Sequence, residues 1–151
     1  MTAERVTAGG LAAQTAGDTL ISESFAMVTI AADLEEIETY SGGLAGILGT
    51  GSRTENCYAV GLSDSTGTNG GFAAVNEGEI KNSYAVVTIG NAGTRRGAFT
   101  ALERGSLTGC VYDRQIACAG EENTEFAELA SPAEAMEFQL IGMKTSDMRC
   151  V

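Results

Sequence analysis

The sequence contains no histidine and no tryptophan, a single proline, and few basic residues. The lack of histidine excludes a Ser-His-Asp triad, an imidazole metal site and the usual general base near neutral pH. Nine basic residues stand against 20 acidic ones, and the net charge of −11 disfavours nucleic acids and anionic membranes as partners. Because no long apolar run is present, no membrane insertion is predicted either.

Glycine, in contrast, is abundant. The 151 residues include 20 glycines, and 44% of the chain is hydrophobic although only 6% is aromatic. This composition predicts one folded domain whose core is built largely of small side chains and whose turns use glycine.

One unit of sequence is written about four times. The segment Gly70-Gly71-Phe72 leads to Ser83-Tyr84-Ala85-Val86, just as Gly42-Gly43-Leu44 leads to Cys57-Tyr58-Ala59-Val60. The small residue of each unit is Ser24, Cys57, Ser83 or Cys110, at steps of 33, 26 and 27 residues. A repeat of this length indicates a solenoid, propeller or array.

Short runs rich in Val, Ile, Tyr and Thr, bounded by Gly and Asn, predict two strands in each unit. A unit of this length is too short for a propeller blade and fits one coil of a parallel β-helix, which we expect to be right-handed. Equivalent residues should then stack from coil to coil in ladders, and the main ladder is Phe25, Tyr58, Tyr84 and Val111. We predict an all-β fold of about four coils.

The paired glycines have a predicted structural role at Gly43 and Gly71. A coil turns sharply between its flat faces, and glycine reaches positive φ freely. A phosphate-binding loop is disfavoured because neither glycine-rich phosphate motif is present.

The same units resemble the GLUG repeat of large bacterial surface proteins. The matching segments are Gly42–Gly46 with Glu55–Gly61, and Gly70–Phe72 with Asn76–Ala85. A terminal segment, Gly142–Met148, is similar to the end of that family's last unit. The resemblance implies a module of an adhesin or of an immunoglobulin A protease, located outside the cell or on the bacterial cell surface.

The predicted solenoid spans residues 1–118, and residues 119–151 form a C-terminal capping segment. The coils are expected at about 9–40, 42–69, 70–95 and 96–118. A capping box at Ser131-Pro132-Ala133-Glu134 predicts a short α-helix near 132–141 that covers the last coil. Because Met1–Arg5 starts no signal peptide, either a signal was removed or this chain was cut from a longer protein. We expect the second, since the sequence enters almost directly on a repeat.

The sequence gives little support for a catalytic site. The acids Glu77 and Glu79 could hydrolyse a glycoside but are expected to be solvated turn residues, and Asp113 with Arg114 is expected to form a surface ion pair. The acidic insert at 33–38 predicts a solvated loop with one helical turn, because Leu34 and Ile37 are three residues apart. The alternative, a calcium site, is disfavoured because the spacing of a calcium loop is missing. We therefore predict no catalytic residue, no cofactor and no metal.

The four cysteines have no zinc-site spacing. Cys57 and Cys110 lie two rungs apart on one ladder, about 9–10 Å, which exceeds the reach of a disulfide. We predict a Cys118–Cys150 bond between the last coil and the tail; the alternative is Cys110–Cys118.

The first functional hypothesis is a non-catalytic spacer or adhesive stalk of an exported surface protein. The alternatives are a module that binds a host glycan or protein, a filament subunit that self-associates end to end, and a carbohydrate-active β-helix enzyme. Exposed rows of aromatic side chains would favour binding. Because Tyr58 and Tyr84 are expected to be engaged in the ladder, few exposed aromatic rows are predicted.

Overall fold

A computed structural model describes residues 4–113 and 116–117, together with a short strand at 135–137. In this part of the chain all regular structure is β, and the strands fall into four successive coils. The first coil holds β1 (Arg5–Gly9), β2 (Ala12–Thr15), β3 (Leu20–Ser22) and β4 (Phe25–Ala32). The second holds β5 (Glu38–Gly42), β6 (Ala45–Leu48), β7 (Arg53–Glu55) and β8 (Tyr58–Ser65).

The next two coils repeat this pattern. The third holds β9 (Thr68–Gly70), β10 (Ala73–Asn76), β11 (Glu79–Lys81) and β12 (Tyr84–Ile89). The fourth holds β13 (Arg95–Gly97), β14 (Thr100–Glu103), β15 (Ser106–Thr108) and β16 (Cys110–Tyr112), and β17 is Ala135–Glu137.

Each strand pairs in parallel with its counterpart in the neighbouring coil, which gives four sheets. The first sheet has the order β1-β5-β9-β13, the second β2-β6-β10-β14, the third β3-β7-β11-β15 and the fourth β4-β8-β12-β16-β17. This arrangement confirms the predicted parallel β-helix of about four coils. Each coil has four short strands rather than two. In the third coil the predicted run 80–89 is divided by a corner into β11 and β12, and β9 begins within a segment predicted as a turn.

The register of the fourth sheet follows the alignment of the repeats. Phe25 pairs with Tyr58, Tyr58 with Tyr84, and Tyr84 with Val111. The next position forms the column Ala26, Ala59, Ala85 and Tyr112, whose three alanines are buried.

The core consists of such columns inside the coils. Phe72 and Phe99 are fully buried, and their rings stack with centroids 4.8 Å apart at an interplanar angle of 11°. Leu44 continues this column towards the first coil, where Leu11 is 48% exposed. Each apolar side chain is therefore buried mainly by its counterparts in the adjacent coils, as expected for a solenoid.

The corner before the fourth sheet needs one left-handed residue in every coil. Its φ is 48° at Glu23, 54° at Asn56, 46° at Asn82 and 63° at Gly109. In each coil the fourth-sheet strand begins at, or directly after, the small residue that follows this corner. Asn and Gly adopt this conformation more readily than other residues, so Glu23 is the least suited of the four.

The reason predicted for Gly43 and Gly71 was wrong, because neither has a positive φ. A Cβ on Gly43 would lie 2.2 Å from the carbonyl oxygen of Gly71, and one on Gly71 would lie 2.0 Å from that of Ala98. These glycines are needed for the close approach of the next coil, while the left-handed turns fall elsewhere.

A buried polar cluster occupies the corner between the fourth and first sheets. The sequence indicates a turn over residues 63–69, but β8 continues to Ser65 and only two residues separate it from β9. The Ser65 hydroxyl donates to Oδ1 of Asn69 at 2.6 Å, and Nδ2 of Asn69 donates to the Ser65 carbonyl at 2.6 Å. The hydroxyl groups of Ser41 and Ser65 are 2.8 Å apart. These bonds satisfy polar groups that burial would otherwise leave unpaired.

The predicted capping helix was wrong over Ala135–Glu137. These residues form β17, which pairs in parallel with β16 and adds a rung to the fourth sheet. A strand satisfies the open edge of β16 directly, which a helix lying across it would not do. The remainder of the predicted segment, including Cys118 and Cys150, lies outside the described residues.

Replacing Glu23 with Asn should raise the free energy of unfolding by about 0.5–1 kcal/mol, because Asn tolerates the left-handed corner better. Urea unfolding measures this change. Glu35→Asn is the control, since Glu35 is exposed and lacks a positive φ. Equal changes in the free energy of unfolding for Glu23→Asn and Glu35→Asn would contradict the assignment of backbone strain to Glu23.

Replacing Gly71 with Ala should lower the free energy of unfolding by about 3 kcal/mol or more, because the new methyl group collides with a backbone carbonyl. The control is Gly17→Asn, since Gly17 has a φ of 61° and open space around it. A tolerated Gly71→Ala would show that the coils are not packed this closely.

Candidate binding surface

The fourth sheet has a buried inner side and an apolar outer side. Along β4 the even-numbered residues point inward, as shown by Ala26, which is 5% exposed. The odd-numbered residues Phe25 and Met27 point outward and are 55% and 75% exposed. We call this outer side the ladder face, and it comprises Phe25, Met27, Thr29, Tyr58, Val60, Leu62 and Tyr84.

An aromatic column is the main feature of the ladder face. The rings of Phe25 and Tyr58 have centroids 5.0 Å apart at 7°, and those of Tyr58 and Tyr84 are 4.8 Å apart at 4°. Tyr58 therefore has a ring against each of its faces. The outer face of the Phe25 ring has no counterpart from an earlier coil in the described structure.

Tyr58 and Tyr84 are engaged in the ladder, as expected. That ladder lies on the outer side of the coil, and both tyrosines are partly buried. The physical reason is the alternation of side chains along a strand, which places Ala59 and Ala85 inside and the adjacent tyrosines outside.

Two further columns extend the apolar character of the ladder face. Met27 pairs with Val60, and Thr29 pairs with Leu62. Along the column of Met27, Val60 and Val86, the exposed fraction of the side chain falls from 75% at Met27 to 7% at Val86. The exposed apolar surface is therefore concentrated on the first two coils.

The packing of the aromatic column changes the pKa of Tyr84. Burial raises the pKa of Tyr84 above its ordinary value of 10.0, and the neighbouring Tyr58 raises it further. Both effects disfavour the Tyr84 phenolate, so the Tyr84 side chain is uncharged at physiological pH.

A concave region lies beside the first sheet. A groove of about 870 Å³ runs between the 33–37 loop and the outer side of that sheet, with Glu36, Tyr40, Arg95 and Arg104 among its lining residues. The loop closes through a bond from the Ile37 N–H to the Leu34 carbonyl and forms a tight turn rather than the expected helical turn.

The groove carries charges of both signs that contact local partners. The Tyr40 hydroxyl donates to Glu38, and the Arg5 guanidinium lies 5.9 Å from the Tyr40 ring centre. Arg104 forms an ion pair of 3.2 Å with Glu77. Within the described residues no cluster of acids and cysteines could hold a metal ion. The groove thus presents a mixed surface without converging groups of one kind.

The candidate acids occupy separate surroundings. Glu77 is paired with Arg104, and Glu79 forms an ion pair of 2.8 Å with Lys81. Asp113 is buried, and its Oδ1 accepts a bond from the Ile116 N–H at 3.0 Å. The predicted surface location of Asp113 was therefore wrong, and Arg114 lies outside the described residues.

The described cysteines are consistent with the spacing argument. Cys57 and Cys110 are both buried thiols. Burial raises the pKa of the Cys57 thiol, which keeps it protonated and unreactive at neutral pH. The predicted Cys118–Cys150 bond stays a prediction.

Comparisons with known proteins add no further assignment. No protein-family model matches the chain, and neither a curated protein nor a solved structure was found to match it. The resemblance to GLUG repeats therefore stays a prediction based on the repeated motif. No helix suited to crossing a membrane occurs in the part of the chain that the structure describes.

The Tyr84 environment predicts a pH effect on stability. Its folded pKa exceeds the unfolded value of 10.0, so the unfolded chain loses the proton first as the pH rises, and stability is lost above that value. We expect Tyr84→Phe to reduce the loss of unfolding free energy between about pH 8 and about pH 11, measured by urea unfolding. An identical loss in both proteins would contradict the prediction.

Proposed function

We propose that this protein is a non-catalytic adhesive module of an exported bacterial surface protein, with the ladder face as its contact surface. The proposal rests mainly on one observation, the outward-facing aromatic column Phe25, Tyr58 and Tyr84 with apolar columns beside it; Phe25 is exposed and the two tyrosines are partly exposed. A pure spacer has no need of such a face, and contiguous exposed apolar surface is uncommon on soluble domains unless it takes part in binding.

The chemistry of the face favours a protein partner over a glycan. A sugar ring binds an aromatic side chain through the flat face of the aromatic ring, but both faces of Tyr58 are covered by neighbouring rings. Sugars also require several converging polar groups. Apart from the tyrosine hydroxyls, the outer side of the sheet has hydroxyls at Thr29 and Thr88 and the Asp64 carboxylate at its edge, while Met27, Val60 and Leu62 are apolar.

The solenoid supports the face mechanically. Parallel hydrogen bonds connect β4, β8 and β12 along their length, so the aromatic rings are held at fixed spacing. A preformed surface loses little conformational entropy on binding, which favours affinity from a small area. Rigidity and adhesion are therefore two consequences of one architecture, and the export of the protein is inferred from the resemblance of its repeats.

Two parallel screens with the whole chain test this proposal. Fluorescent beads coated with the protein are applied to a panel of purified extracellular host proteins, and the protein is applied to a glycan array. We expect saturable binding to a member of the protein panel. Leu62→Glu, which places a charge on the ladder face, should weaken it by about tenfold or more.

The matched control is Thr68→Glu, which adds the same charge to the first sheet instead. Its binding should equal that of the wild type. Glycan binding unaffected by Leu62→Glu, or equal losses in both variants, would contradict the ladder face as the contact surface. Binding to neither panel would leave the spacer hypothesis as the better account.

A further inference from the structure

The groove beside the first sheet owes its shape to corners of unequal length. The corner between the fourth and first sheets takes residues 33–37 after β4 and residues 90–94 after β12, but only residues 66–67 after β8. Because the coils stack rung on rung, the short corner lies recessed between two longer ones. The resulting groove of about 870 Å³ falls in the size range of ligand sites, about 300–1,000 Å³.

Hydrogen bonds hold the floor and the two walls of the groove on successive rungs. The Thr66 N–H donates to the Ala32 carbonyl at 3.1 Å, and the Thr94 N–H donates to the Thr66 carbonyl at 3.3 Å. The Thr66 hydroxyl donates to the Leu34 carbonyl at 3.1 Å and accepts from the Leu34 N–H at 3.3 Å, which ties the first wall to the floor. The two walls are therefore two rungs apart, roughly 10 Å.

The two walls carry opposite charges that have no partner within the described residues. Glu35 and Glu36 line the groove from the first wall, and Arg95 lines it from the second. All three residues are exposed, and in the described part of the chain their side chains form no ion pair or hydrogen bond. In contrast, Arg104, which also lines the groove, is paired with Glu77. The groove thus has an acidic wall and a basic wall.

This distribution of charge restricts the ligand. Glu35 and Glu36 repel a polyanion such as a nucleic acid or an acidic polysaccharide, and Arg95 repels a polycation. An extended peptide avoids both repulsions, because its successive side chains point to opposite sides and can carry opposite charges. A gap of two rungs also accommodates one extended chain at the ordinary interstrand distance, about 4.8 Å, from each wall.

We propose that this groove binds an extended peptide segment of a partner protein in which basic and acidic side chains alternate, as in Lys-Glu-Lys. The basic side chains contact Glu35 and Glu36, and the acidic side chain contacts Arg95. The net charge of −11 adds a general attraction for a segment with an excess of basic residues. The groove lies beside a different sheet from the ladder face, so this site does not depend on the proposed function.

Two other occupants match the groove less well. An earlier coil of a longer protein would pair with β1 to β4, and no residue that lines the groove belongs to those strands. The chain's own segment 118–134 matches the basic wall but not the acidic wall, because it has no base and five acids: Glu121, Glu122, Glu125, Glu128 and Glu134.

A chemical-shift titration of the whole isotope-labelled chain tests the site. The probes are acetyl-Thr-Lys-Glu-Lys-Thr-amide and the same peptide with Gln in place of Glu. We expect saturable shifts at residues 34–37 and 92–95, and a Kd about three- to fivefold lower for the peptide with Glu. This preference should shrink as salt rises, because salt screens exposed charges. Equal affinity for the two peptides, or shifts that do not saturate, would overturn the proposal.

Substitutions assign the preference to the basic wall. Arg95→Gln should bind the two peptides equally, whereas Arg53→Gln, which removes an exposed charge from the third sheet, should keep the preference. A preference retained in Arg95→Gln would contradict the site. So would a change in the signals of residues 118–134 or 138–151 between wild type and Arg95→Gln before any peptide is added, because the protein's own chain would then occupy the groove.

Discussion

The parallel stacking of equivalent residues at the interstrand distance is the interaction on which this structure depends. Each coil leaves its apolar side chains open above and below, and only the next coil can cover them. Phe72 against Phe99 shows this inside the coil, and Tyr58 against Tyr84 shows it outside. The same repeat therefore creates the core and the proposed contact surface.

This dependence explains the chemistry of the corners. A coil stacks on the next only where the backbone bends identically in both, so each coil places one left-handed residue at the same position. It also requires close backbone approach at Gly43 and Gly71. The least regular unit is the first, with Glu23 at its left-handed corner and its apolar residues exposed. Strain and exposure thus coincide in the first coil.

Much of the fold could be predicted because the repeat fixes the register. Aligning Tyr58 with Tyr84 by their neighbours is enough to place them on adjacent rungs. The same spacing predicts that Cys57 and Cys110 do not form a disulfide with each other. The four-strand coil was not predicted because corners such as Asn56 and Cys57 take only two residues and look like part of a continuous run.

The ladder face was harder to identify because composition does not tell which side of a strand is buried. The signal was present in the alternation of Tyr58 and Ala59, since two adjacent strand residues cannot both point inward. The strand at Ala135–Glu137 shows a different difficulty. A local capping box predicts a helix there, but the open edge of β16 provides hydrogen bonds that a local pattern does not reveal.

The contacts of the aromatic rings test the central claim most directly. In a nuclear Overhauser spectrum of protein with labelled Phe and Tyr rings, the account predicts cross-peaks from Tyr58 to both Phe25 and Tyr84. It predicts none between Phe25 and Tyr84, which lie two rungs apart, about 10 Å. Cross-peaks between Phe25 and Tyr84, or a Tyr58 ring without either neighbour, would contradict the stacked parallel coil.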